Sequence, residues 1–218
     1  MKGQTNSQHR IGVIGLGNAG HAIASAFTRF TKVYGFDQAV EKREKASQTG
    51  VLVQDNLDAF SDVADVAILS LPHPDISLSV TGQLLKQGSK PKLIIDTSTV
   101  TPQTSIECAA LAALQNVDFV DAAIAGGVAS MANGQMTFFM GGETRAKARA
   151  KPILELVAAH IYDLGKIGSG MGIKVVNNAV MHSLMVVLIE AFSMSKKLGV
   201  PSDTFISILN REEGLLRP

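Results

Sequence analysis

The sequence has little cysteine, no excess of charge of one sign and no long unbroken apolar run, and each absence excludes a class of protein. Cys108 is the one cysteine among 218 residues, so neither a disulfide framework nor a thiolate zinc site can form within a chain. Lysine and arginine total 20 against 19 acids, giving a net charge of +1 without blocks of like charge. We therefore expect neither nucleic acid nor an anionic membrane as the main partner.

The apolar segments are typical of a soluble protein. The longest, Ala179–Met194, is interrupted by His182, Ser183 and Glu190, whereas a bilayer-spanning helix needs about 20 consecutive apolar residues. The first ten residues are polar, unlike a signal peptide. Because 46% of the residues are hydrophobic and 18% are charged, a large core is expected. We predict a cytoplasmic protein with no membrane partner.

Short β-rich segments alternate with longer segments of helical spacing in the first 168 residues. The predicted strands are Ile11–Ile14, Lys32–Phe36, Val66–Ser70, Leu93–Ile95, Phe119–Val120, Met136–Met140 and Ile161–Leu164. The predicted helices are His21–Phe30, Ile76–Lys86, Gln103–Leu114 and Thr144–Ala158. This alternation predicts an α/β fold, a doubly wound Rossmann domain with parallel strands, over residues 1–168.

The chain after Gly170 is predicted to form one long helix, Met171–Leu198, apolar on nearly every face. Gly199 can take the left-handed position that ends it, and Pro201 prevents its continuation. Such a helix must be covered, either by a second helical domain or by another subunit. We expect residues 169–218 to be the start of a C-terminal all-helical domain that is truncated in this sequence, and a homodimer or higher homo-oligomer.

A glycine-rich turn, GLGNAG, follows the first predicted strand and opens an apolar helix. Gly15 permits a tight turn, Gly17 lets the backbone approach a pyrophosphate, and Gly20 allows close contact between helix and strand. The helix N-terminus presents unpaired N–H groups to the phosphates. The strand–turn–helix context turns this otherwise weak pattern into a prediction of dinucleotide binding. The predicted contacts come from Gly15, Leu16, Gly17, Asn18, Ala19 and Gly20.

Asp37 lies 22 residues after Gly15, at the end of the second predicted strand. Its carboxylate can accept hydrogen bonds from the hydroxyls of the adenosine ribose, and it would repel a 2′-phosphate. This predicts NAD as the cofactor. NADP stays possible, because Lys42 and Arg43 follow within reach of a loop movement.

Two further segments end predicted strands at the edge of the sheet where ligands of such folds bind. Leu71-Pro72 is equally consistent with a cofactor contact and with a proline that simply ends a strand. The hydroxyls of the segment that ends at Thr99 either meet the cofactor or cap the helix that begins near Pro102. The residues alone leave both alternatives open.

Lys174 is the predicted catalytic residue. It lies in the first turns of the long apolar helix, where burial and the helix dipole both lower the pKa of an amine. A carbonyl that receives a hydride needs such a proton donor. Asn178, four residues on, projects from the same helical face. A lysine that reaches solvent is the plainer alternative, but the nearby amides also need partners in this apolar setting.

These segments together resemble the β-hydroxyacid dehydrogenase family, which includes 3-hydroxyisobutyrate dehydrogenase and, more distantly, 6-phosphogluconate dehydrogenase. The similarity runs from about Ile11 to Asn210. It rests on GLGNAG, LP at 71–72, DTSTVTP at 96–102, DAAIAGG at 121–127, GQMTFFMGG at 134–142 and GSGMGIKVVNN at 168–178. The resemblance implies an NAD(P)-dependent oxidoreductase that acts on a small carboxylic-acid substrate, a β-hydroxy acid or its semialdehyde.

The resemblance also implies roles for individual residues. Lys174 would be the acid/base, and Asn178 would position the substrate. Leu71, Pro72 and Thr99 would contact the cofactor. The loop after Ala125, with Gly126 and Gly127, would contact the substrate carboxylate. Read without the family, this loop is more simply an ordinary connection into a helix.

One departure from the family affects the expected substrate. Ala125 stands where the family usually has a serine, and Ala123 stands where it usually has a proline, so a hydroxyl that would hold the carboxylate is missing. An imine reductase-like enzyme is therefore an alternative, although such relatives usually replace the lysine that this chain keeps as Lys174. A non-catalytic dinucleotide-binding protein is the alternative of another class.

Overall fold

The computed structural model describes residues 9–86, 90–127, 130–131 and 133–210. The chain divides into two compact units, of which the first ends at Lys174 and the second begins at Val175. The first unit contains the whole sheet. The domain boundary placed after residue 168 stays a prediction.

The strands of the described residues form one mixed sheet. Their bounds are β1 Ile11–Ile14, β2 Val33–Phe36, β3 Leu52–Val53, β4 Val66–Leu69, β5 Leu93–Asp96, β6 Asp118–Ala125, β7 Met136–Gly142 and β8 Ala158–Asp163. The sheet order is β3-β2-β1-β4-β5-β6-β7-β8. Strands β1 to β6 pair in parallel, and their order is that of a Rossmann sheet. The predicted fold class is confirmed.

Strand β7 is the exception to the predicted parallel arrangement. It runs antiparallel to β6, with Val120 opposite Gly142 and Ala125 opposite Thr137. A parallel crossover needs a dozen or more residues, usually with a helix. The connection from Ala125 to Met136 is too short for one, so the chain returns in the opposite direction. Strand β8 then pairs with β7 in parallel.

The described residues also form helices, with the bounds α1 Asn18–Phe27, α2 Val40–Ser47, α3 Leu57–Val63, α4 Pro74–Leu84, α5 Pro102–Leu114, α6 Thr144–Leu154, α7 Ser169–Lys197 and α8 Ser202–Leu209. Within the first unit, helices pack against both faces of the sheet. One hydrophobic core lies between α1, α6 and the sheet face on which Val13 and Ile68 project. The other core lies between α3, α4, α5 and the sheet face on which Ile94 projects. Phe60 is fully buried in this second core. The central strands are apolar along their whole length because both their faces are covered.

Helix α7 is 29 residues long and continues from the first unit into the second. Gly199 follows it with a φ of +76°, the left-handed conformation predicted from the sequence. By length and composition α7 could cross a membrane, although the core helix of a soluble protein passes the same test. Many large apolar side chains of the second unit are exposed, namely Val175, Val176, Val180, Met181, Met185, Val186, Val187, Ile189, Met194, Leu198, Ile206 and Ile208.

Candidate active site

The three glycines of the turn after β1 are required for different reasons. Gly15 has a φ of +87°, and a Cβ there would lie 2.2 Å from the Ser70 carbonyl oxygen. A Cβ on Gly20 would lie 1.8 Å from the carbonyl oxygen of Gly15. A Cβ on Gly17, in contrast, would meet nothing within 4 Å. The fold therefore needs Gly15 and Gly20, whereas the space at Gly17 suits a ligand that approaches the backbone.

The N-terminus of α1 is suited to bind an anion. Gly17 is its N-cap residue, and no side chain caps the helix within the described residues. The first turn contains no acid that would compete for its N–H groups. Unpaired N–H groups and the positive end of the helix dipole favour a phosphate at this position.

Asp37 is fixed by the backbone on both sides of its carboxylate. Its Oδ2 accepts the Leu16 N–H at 2.8 Å, and its Oδ1 accepts the Ala39 N–H at 2.9 Å. Lys42 Nζ lies 3.7 Å from Oδ2, and the Arg43 guanidinium donates to the Asp37 carbonyl oxygen at 2.7 Å. Each carboxylate oxygen keeps a further lone pair, so Asp37 can still accept ribose hydroxyls. Lys42 and Arg43 place positive charge next to Asp37.

A cleft of about 620 Å³ lies at the carboxyl edge of the sheet. This volume is within the range of roughly 300–1,000 Å³ that is usual for ligand sites. The cleft brings together these sequence-predicted residues: Gly15, Gly17, Asn18, Ala19, Asp37, Leu71 and Pro72. Leu16, 2% exposed, and the buried Gly20 support the turn without lining the cleft. A helix end suited to an anion, an acid that can accept ribose hydroxyls and apolar walls fit a nicotinamide dinucleotide.

The sequence did not predict part of the cleft wall. This part comprises Ile14, Phe36, Gln38, Asn56, Leu57, Asp58, Ser70, Ile76, Val80, Gln83 and Lys86. Asn56 precedes α3, and its Oδ1 accepts the Ala59 N–H at 2.8 Å as an N-cap. An Asn before an apolar helix is a recognisable start signal. It was missed because β3, only two residues long, gives no alternating pattern to place it at the sheet edge.

The backbone at Leu71, just after β4, is held by residues at the end of the neighbouring strand β5. The Leu71 N–H donates to Ser98 Oγ at 2.8 Å, and the Ser98 N–H donates to Asp96 Oδ1 at 2.9 Å. Burial raises the pKa of Asp96 to about 6, and the charge of Asp121 acts in the same direction. Asp96 and Ser98 thus fix the backbone that presents Leu71 and Pro72 to the cleft.

Thr99 is placed differently from its neighbours. Its side chain is exposed and lies outside the cleft wall. Helix α5 is capped by Thr101 instead, whose Oγ1 accepts the Thr104 N–H at 3.1 Å. The cofactor contact expected of Thr99 stays a prediction.

Lys174 lies in the first turns of α7 and is half-buried. Burial lowers the pKa of its amine. Within the described residues the amine makes no ion pair that would oppose this effect. A lysine in this state can exchange a proton closer to neutral pH than an exposed one. Asn178 belongs to the second unit and is also half-buried.

Ala125, Gly126 and Gly127, at the end of β6 and the start of the following loop, do not line the cleft. Ala125 is half-buried, while Gly126 and Gly127 are exposed. Gly126 has a φ of +117°, a conformation that favours glycine. The binding of a substrate carboxylate by this loop stays a prediction.

Comparison with known proteins identifies the family. Residues 10–168 match the family described as NAD binding domain of 6-phosphogluconate dehydrogenase. The chain is 28% identical over 209 residues to 2-(hydroxymethyl)glutarate dehydrogenase of Eubacterium barkeri, covering 94% of this chain and 69% of the relative. It is 30% identical over 209 residues to 3-hydroxyisobutyrate dehydrogenase of Pseudomonas aeruginosa, covering 94% and 70%.

A solved structure agrees with these sequence relatives. The 3-hydroxyisobutyrate dehydrogenase of Mycobacterium tuberculosis, solved with L-serine, superposes with a TM-score of 0.85 at 31% identity. The match covers 94% of this chain and 71% of that structure. The chain therefore belongs to the β-hydroxyacid dehydrogenase family and is an NAD(P)-dependent oxidoreductase.

Proposed function

We propose that the protein interconverts a small β-hydroxy acid and its semialdehyde, with Lys174 as the acid/base. The observation that carries this proposal is the state of Lys174. The amine is half-buried at the start of a helix, its pKa is lowered by burial, and no ion pair within the described residues occupies it. These properties support a role for Lys174 in proton exchange during turnover.

The names of the relatives support the substrate class. 3-Hydroxyisobutyrate, 2-(hydroxymethyl)glutarate and L-serine each carry a hydroxymethyl group on the carbon next to a carboxylate. Oxidation of such a group gives an aldehyde. We propose the same chemical group for the substrate of this protein, with NAD(H) favoured over NADP(H) by Asp37.

The proposed chemistry assigns one task to each part of the site. The N-terminus of α1 and Asp37 would hold the cofactor, which would supply the hydride chemistry. The neutral Lys174 amine accepts the hydroxyl proton during oxidation, and the ammonium returns it to the carbonyl oxygen during reduction. The N–H groups of Gly126 and Gly127 would hold the carboxylate, which keeps the hydroxyl in line with the amine. Ala125 contributes no hydroxyl to this contact.

The test is Lys174→Ala in the full-length natural protein, with the exposed Lys166→Ala as the matched control. We expect kcat to fall about 10²- to 10⁴-fold in Lys174→Ala, the usual range for a positioned acid/base. Cofactor affinity should hardly change, because the described residues of the cleft wall lie between 14 and 86. Lys174→Arg should restore little activity, since a guanidinium does not release its proton. Wild-type turnover in Lys174→Ala would refute the catalytic assignment.

A substrate panel separates the alternative functions. Oxidation of NADH and NADPH is followed with semialdehydes, keto acids and cyclic imines as acceptors. Turnover of semialdehydes supports the proposal, and turnover of cyclic imines alone would indicate an imine reductase. Cofactor binding without turnover of any acceptor would indicate a binding protein.

A homodimer or higher homo-oligomer is also proposed. The second unit exposes more large apolar side chains than a single soluble copy usually carries. A second copy of the chain offers the same apolar surface, so symmetric pairing would bury both.

A further inference from the structure

Helix α7 has no side chain of its own to cap its first turn. Its N-cap position is Gly168, whose carbonyl oxygen accepts the Gly172 N–H at 2.9 Å. The carboxylate of Asp121, in β6, supplies the cap from another part of the chain. Its Oδ1 accepts the Gly168 N–H and its Oδ2 accepts the Met171 N–H, each at 2.9 Å. Asp121 is fully buried, so water does not compete for these bonds.

The start of α7 also packs against the sheet without room for a side chain. A Cβ on Gly170 would lie 2.2 Å from the Phe139 carbonyl oxygen and 2.8 Å from Asp121 Oδ2. A Cβ on Gly141, the antiparallel partner of Asp121, would lie 2.6 Å from Asp121 Oδ1. The helix start can therefore approach the carboxylate closely, and its distance from β6 and β7 is fixed.

The rotation of the first turn is fixed as well. Met171 is fully buried in a cluster with Val100 and Ala123, against which Phe139 packs. Lys174 follows Met171 by three residues, one helical turn on. The position of the lysine backbone therefore depends on the two hydrogen bonds that the Gly168 and Met171 N–H groups donate to Asp121.

We propose that Asp121 is a positioning residue of the reaction, whose carboxylate holds the first turn of α7 so that the Lys174 amine stays in its half-buried place. This inference rests on the proposed role of Lys174. Asp121 acts through the helix and does not contact the reacting atoms. In the DAAIAGG segment, the residues with a proposed function then include Asp121 in β6 as well as the loop glycines Gly126 and Gly127.

The test compares Asp121→Asn with Asp118→Asn in the full-length natural protein. An asparagine has one acceptor oxygen, so it loses one of the two bonds to α7. Asp118 lies in the same strand and is nearly as buried, but it pairs with Arg145 and Arg149. Asp118→Asn therefore controls for the general loss of a buried acid. Should Asp121→Asn not fold, Asp121→Glu is measured, since its extra methylene displaces the cap while keeping the charge.

Three measurements are expected to change in the Asp121 variant and not in the control. Amide hydrogen exchange of residues 168–174 should accelerate at least about tenfold, because their cap is weakened. The kcat should fall about 10- to 100-fold, while the NADH dissociation constant stays within about twofold. The limb of the kcat–pH profile that reports Lys174 should move to higher pH as the amine becomes less buried. A merely structural role would lower the active fraction without moving this limb.

The outcomes separate the two proposals. A kcat and pH profile like those of the wild type, despite accelerated exchange at residues 168–174, would refute the role of Asp121 alone. Unchanged exchange in that segment would refute the cap. Full turnover in Lys174→Ala would refute the proposed function, and with it the role of Asp121 in the reaction.

Discussion

At the scale of single residues, similar amino acids serve different purposes. Gly15 and Gly20 are required by contacts within the protein, whereas Gly17 faces open space in the cleft. The buried acids differ in the same way. Asp121 receives two N–H donors from the start of α7, while Asp96 Oδ2 has no hydrogen-bond partner within the described residues. Both contrasts lead to measurable differences.

Gly17→Ala should separate cofactor binding from folding. Its methyl group would enter the cleft, so we expect the affinity for NADH to fall at least about tenfold. The backbone at Gly17, with a φ of −64°, accepts alanine, so stability should change by only about 1 kcal/mol. Gly82→Ala is the matched control, because a Cβ on this exposed glycine of α4 also meets nothing. Isothermal titration calorimetry and urea unfolding measure both effects, and wild-type affinity in Gly17→Ala would contradict the assignment.

Asp96 should make the stability of the protein depend on pH. The direction of this dependence should be opposite to that produced by a salt-bridged acid. Burial raises the pKa of Asp96 from its ordinary 3.8 to about 6, so the native state keeps a proton that the unfolded state releases. The contribution of Asp96 to stability is therefore fully present below pH 3.8 and is lost as the pH rises through about 6. The difference between the native and unfolded pKa values of Asp96 corresponds to about 3 kcal/mol in the free energy of unfolding.

Asp96→Asn isolates this effect. The variant keeps an acceptor for the Ser98 N–H and removes the charge, so its stability relative to the wild type should increase between pH 4 and pH 7, by up to about 3 kcal/mol. Urea unfolding of both proteins across this range provides the measurement. Equal pH dependence in the two proteins would show that Asp96 does not titrate there.

At the scale of elements, the sequence predicts most accurately the helices and strands whose bounds are set by the local sequence pattern alone. The strand Ile11–Ile14 and the helix Pro102–Leu114 lie within one residue of their predicted bounds, because each has a strong period and clear ends. Strand β3 and helices α2 and α3 were missed. Helix α2 buries only Ala46, so it lacks the apolar stripe that marks a helix in a sequence.

The same distinction applies to the candidate site. The glycine turn and Asp37 are predictable, because their chemistry depends on a short motif at fixed spacing. The cap on α7 joins Asp121 to Gly168 and Met171, which lie 47 and 50 residues away. Only the folded sheet brings these groups together. The sequence therefore indicated Lys174 as a candidate acid/base, but it did not indicate Asp121, whose carboxylate caps the helix that carries Lys174.

At the scale of the whole molecule, the apolar surface of the second unit is the main unexplained feature. Its exposed residues include Val180 and Val187, which lie seven residues apart and so share one side of the helix. Apolar side chains exposed on this scale favour self-association, and a second copy of the chain is the occupant that we propose. A second helical domain and a membrane are the competing occupants, the membrane because α7 is long and apolar enough to cross one.

Light scattering at micromolar concentration tests this assembly. We expect a dimer or higher homo-oligomer for the wild type and a smaller species for the double variant Val180→Glu and Val187→Glu, since two buried carboxylates would oppose association. Leu114→Glu is the matched control, because Leu114 is 76% exposed but belongs to α5 in the first unit. Its assembly should equal that of the wild type. A stable, monodisperse wild-type monomer would refute the proposal, and a monomer that floats with liposomes would indicate that a membrane covers this surface instead.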